Sequence, residues 1–264
     1  MSPAVATETS PRPRSALTAF TTAWASQIGI TVAFLALWLA FIVLAPRTFL
    51  SDRIYLAFAQ TLLVFFVAAQ APELLVRDQR HRVLTLYFSR ALERADYVLA
   101  KYFALVAAIG LVLGLPQVIL LLGMLFGTPS LSDGLAKVLP LLVPVAGRTV
   151  VIAALMAGIG LVASAFTVRR AFAAATIIGA FLVMNGVVTV LVNRVGLHGP
   201  LALIGLADPF ALMDGVSALL LGVDPTMPAI LRTHLPVELF AVTAVGVALA
   251  CLGLLVLRYR RITA

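Results

Sequence analysis

Hydrophobic positions fall into six long blocks, at 28–45, 54–76, 97–126, 146–167, 171–192 and 237–257. Each approaches or exceeds the roughly 20 apolar residues that carry a helix across the hydrocarbon core of a bilayer. Helix-breaking or polar residues separate them: Pro46-Arg47, Ser51-Asp52-Arg53, Gly127-Thr128-Pro129-Ser130 and Val168-Arg169-Arg170. The pattern predicts an all-α membrane protein with six transmembrane helices in a single domain, 15–264. Residues 1–14 have no apolar period and read as a disordered cytosolic tail. In 15–27, Leu17, Phe20 and Trp24 share one helical face, which suits an amphipathic helix lying in the interface, or else the start of the first span.

Between the fifth and sixth blocks, 194–236 is too apolar for a free loop. Asp208 followed by Pro209 offers an N-cap and a first-turn proline, and Gly222 offers a stop. A short helix dipping into the outer leaflet is expected there, with another after Asp224-Pro225.

Composition sharpens the class. The chain is 62% hydrophobic and only 11% charged, with a mean hydropathy of +1.09, far from the balance of a soluble domain. Its single cysteine, Cys251, excludes a disulfide framework or a thiolate metal site. Arginine outnumbers lysine 17 to 2, which with the richness in Ala, Val and Leu points to a high-G+C bacterium and to its inner membrane.

The net charge of +8 does not signal nucleic acid, because its distribution is one-sided. Placing both termini in the cytosol leaves 13 of the 19 Arg and Lys residues inside and 6 outside, as positive residues distribute in multispanning proteins. Arg148 then sits at the outer end of the fourth span, where it can snorkel to water or serve an outer gate.

Catalytic chemistry is missing. No P-loop, H-E-x-x-H or G-x-S-x-G motif occurs, and the spans hold no paired carboxylates. The polar residues at depth, chiefly Gln60, Gln70, Gln117 and Asn185, either line a substrate path or bond helix to helix. Gly110-x-x-x-Gly114 and Ala154-x-x-x-Gly158 allow close helix approach.

The most informative stretch is 71–103. Pro72-Glu73 marks the inner end of the second span, by a kink or a stop. Charges of both signs follow at Arg77, Asp78, Arg80, Arg82, Arg90 and Arg94, interleaved with apolar Val83, Leu84, Leu86, Tyr87 and Phe88. As a helix, this presents apolar knobs flanked by arginines. It suits docking into a protein groove, or resting on anionic headgroups. Asp96 offers an N-cap for the third span.

Residues 77–101, RDQRHRVLTLYFSRALERADYVLAK, with the preceding Pro72-Glu73, resemble the segment between spans two and three of type-2 ABC transporter permeases. Members often carry proline after the Ser-Arg pair, where this chain has Ala91. The resemblance implies a coupling helix at about 77–94 that docks on separate ATP-binding subunits. Two such subunits would carry ATP and Mg2+, while this chain would bind no cofactor and catalyse nothing itself. It also implies pairing with a second permease copy or a related permease, and usually export. Two other readings are a secondary transporter, with three spans inverted against three, and a non-transporting membrane assembly protein.

Overall fold

In a computed structural model the chain is described at residues 29, 31–33, 36, 40, 52–80, 94–167, 169–196 and 199–260. Every element among them is helical. The expected tail and interfacial helix lie outside the described residues. So does most of the first span, whose positions 29, 31–33, 36 and 40 are helical.

Helix α1 spans Asp52–Arg80 and is continuous through Pro72, so the chain does not leave the helix at Pro72-Glu73. Proline costs the helix one donor there, but the chain stays helical for two further turns. Helix α2, Arg94–Phe126, contains Asp96 in its first turn. The expected N-cap thus lies inside the helix, where its carboxylate still favours the positive end of the dipole. Helix α3, Leu131–Ala165, begins 15 residues before the predicted fourth span. Ser130 caps it by accepting from the Asp133 amide at 3.2 Å, and the helix continues through Pro140 and Pro144. Helix α4, Arg170–Val190, runs on as a π-turn over Leu191–Val195.

The segment after α4 folds as a 3-10 helix, Gly199–Ala207, then helix α5, Pro209–Leu221, set at 95° to it. Asp208 and Pro209 start α5 as the sequence predicts, and Gly222 ends it in the left-handed region, φ 66°. The short helix α6, Pro228–Thr233, follows Asp224-Pro225. Before it, the amides of Thr226 and Met227 are drawn to the carboxylate of Asp214, at 2.6 and 2.8 Å. Helix α7 covers Val237–Arg260.

Among the described residues, α2, α3, α4 with its π-turn, and α7 are long and apolar enough to cross a membrane. The bent pair makes a fifth candidate, either as a broken span or as a re-entrant loop. Helix α1 carries a shorter apolar stretch, Gln60–Val76.

Helix α3 is the hub, packed against α1, α2, α4, α5 and α7. Between apolar helices in lipid, close packing replaces the hydrophobic effect as the force of association. Glycines allow it here: Gly160 sits against Val67 and Ala71 of α1, Gly158 against Cys251 of α7, and Gly215 of α5 against Phe240 of α7. Phe66, Leu105, Ile152, Met156, Phe181 and Tyr259 fill the core between them.

Candidate functional site

Two regions concentrate polar chemistry: a layer where the bent pair enters the bundle, and the charged end where α1 leaves it.

The layer is built on α3. Arg148 lies at its midpoint, 17 residues from each end, and is 3% exposed. Its Nε donates to Ser217 Oγ of α5 at 2.7 Å, and that hydroxyl donates to the Met213 carbonyl at 2.8 Å. Seventeen residues of helix place Arg148 about 25 Å from the Ala165 end. Its side chain turns inward to α5 and does not snorkel to water. The Ser217 hydroxyl gives the buried guanidinium a hydrogen-bond partner within the protein.

Next to it, Thr149 Oγ1 donates to Gln117 Oε1 of α2 at 3.1 Å, joining α2 to α3. On the far side of the bent pair, Asn185 of α4 donates to Asp208 Oδ2 at 2.9 Å, while Asp208 Oδ1 accepts from the Phe210 amide at 3.0 Å. One carboxylate therefore caps α5 and fastens it to α4. Asp214, 1% exposed, accepts from the amides of Thr226 and Met227 and from Thr226 Oγ1 at 3.2 Å, tying the following loop down.

The four polar residues read as a possible path thus occupy separate contacts. Gln117 and Asn185 bridge helices as above, and Gln70 Nε2 lies 3.4 Å from Thr31 Oγ1. Gln60 is 3% exposed, and its Oε1 accepts no hydrogen bond. An apolar groove of about 590 Å³ runs along α3, lined by Leu142, Val143, Ala146, Gly147, Val150 and Val151.

The opposite end gathers the C-termini of α1, α3 and α7 and the N-termini of α2 and α4. Glu73 of α1 pairs with Arg170 of α4 at 2.7 Å. Arg258 of α7 donates to the Ala165 carbonyl of α3 at 2.8 Å and stacks 4.0 Å over Phe166, satisfying an orphan carbonyl at the end of α3. Tyr97 of α2 meets Tyr259 of α7, their rings 6.0 Å apart, and Lys101 lies over Tyr97. Helix α1 carries Arg77, Asp78 and Arg80 as its last turn, and α2 begins at Arg94. The side chains of these four, together with Arg82, Val83, Leu84, Leu86, Tyr87 and Arg90, lie outside the described residues.

Sequence reasoning missed the Arg148–Ser217, Asp214–loop, Glu73–Arg170 and Arg258–Ala165 contacts as pairs. Only polar residues inside apolar blocks hinted at them, and nothing local names a partner up to 97 positions away. No group of three or more metal-ligating side chains occurs among the described residues. Compared with protein-family models, curated proteins and solved structures, the chain finds no match.

Proposed function

We propose that the chain is the membrane permease subunit of a type-2 ABC transporter in a bacterial inner membrane, with six spans and both termini cytosolic. Two separate ATP-binding subunits, holding ATP and Mg2+, drive export through a path formed with a second permease. The observation that carries this reading is the charged, apolar-studded stretch 77–101, set between two helices that enter the bundle at the same end. The absence of any nucleotide-binding motif in the sequence agrees with an energy source on another chain. Gln60, Gln70, Gln117 and Asn185 are the first residues to test as contacts of the cargo.

The test is purification of the tagged chain from its native membranes. A P-loop ATPase, identified by mass spectrometry, is expected at comparable amounts, with vanadate-sensitive ATP hydrolysis. Charge reversal at Arg90 or Arg94 should reduce that co-purification while membrane insertion persists. Recovery of the chain alone, with transport driven by an ion gradient, overturns the reading. It would favour a secondary transporter, in which broken helices like the 95° pair here line the substrate site.

A further inference from the structure

The Glu73–Arg170 pair joins two helices at one particular point on α1. Glu73 directly follows Pro72, which removes one hydrogen bond from the helix and makes this position its weakest in bending. Beyond it, 73–80 continues the helix for about 12 Å toward the charged connection, with Leu75 and Val76 still buried in the bundle. Helix α1 is packed against α3 and α4. Glu73 therefore fastens the last two turns of α1 to α4.

Its partner is equally placed. Arg170 is the first residue of α4, and the N-cap of α4, Arg169, makes no side-chain capping bond. Glu73 is 11% exposed and brings a carboxylate from another helix to this uncapped, dipole-positive end. Arg170 is 55% exposed, so the pair adds little to stability. What it adds is a directional link between α1 and α4.

We propose that Glu73–Arg170 is a clasp that carries displacement of the charged connection after α1 into α4. This rests on the permease reading, in which an ATP-binding subunit moves that connection. Displacement of the last two turns of α1 pulls the N-terminus of α4 through the ion pair. Helix α4 passes the motion on through Asn185 to Asp208 and the bent pair.

The experiment uses the complex purified with its ATP-binding subunits, with the sole cysteine replaced by C251A. Nitroxide labels go on Phe172 of α4 and Arg260 of α7, both exposed. Pulsed electron resonance measures their separation with and without ATP-vanadate. The parent should shift, E73Q and R170Q should each lose at least half the shift, and the reversed pair E73R/R170E should regain it. R170Q guards against misfolding, because its side chain is half exposed. An unchanged shift in R170Q, or no shift in a parent that binds its ATPase, overturns the clasp while the permease reading stands. A parent that binds no ATP-binding subunit overturns both.

Discussion

Arg148 shows how much one residue can decide in an apolar helix. A guanidinium at 3% exposure needs hydrogen-bond acceptors, and one of them is the Ser217 hydroxyl 69 positions along the chain. Removing that hydroxyl with S217A should cost about 1.5–3 kcal/mol, as for other hydrogen bonds to charged groups. Thermal unfolding in detergent measures this. An unshifted transition would mean that Arg148 is held by its other contacts. Counting back from Arg169-Arg170 put Arg148 at an outer span end, whereas it lies at the midpoint of a 35-residue helix. Its inward turn was not legible, because Ser217 lies in a segment with no polar period to mark its buried face.

At the scale of elements, reading went furthest where a helix is uniformly apolar. Spans predicted at 97–126, 171–192 and 237–257 became helices beginning within three residues of those positions. Helix α3 was misjudged at its start, since Ser132, Asp133, Lys137, Pro140 and Pro144 break the apolar pattern that defines a span. The cap at Asp208-Pro209 and the stop at Gly222 were legible because capping is local chemistry. Helix packing is set by small residues facing large ones, and that can be tested. In G215A the new methyl meets Phe240, so α5 and α7 should separate or strain at a cost of about 1–3 kcal/mol. In G110A nothing lies within 4 Å, and the better helix propensity should leave stability equal or slightly raised. Melting curves of the two variants should move in opposite directions or differ clearly in size.

For the whole molecule, the described helices form an alternating bundle whose two ends differ in character. One end holds Glu73, Lys101, Arg170 and Arg258, while the other holds the bent pair and the α2–α3 turn. At 33 and 35 residues, α2 and α3 are each about 50 Å long, well beyond a 30 Å hydrocarbon core. Their hairpin therefore tilts or rises past the membrane on the side of the bent pair. Cysteines placed at Thr226 and at Arg260 in a C251A background should react with impermeant maleimide from opposite faces, Thr226 from outside in intact cells. Labelling of Thr226 only after the membrane is opened would reverse the proposed orientation, and labelling of both from the same face would break the alternating topology.

The Arg148–Ser217 bond also has a history in time. Synthesis proceeds from the N-terminus, so the last residue of α3 is made 52 residues before Ser217. Ser217 then reaches Arg148 on a segment bent by 95°. The bent pair can settle only once α3, and then α7, offer walls to settle against. The Arg148–Ser217 contact is accordingly a late event, formed only after α5 has been translated.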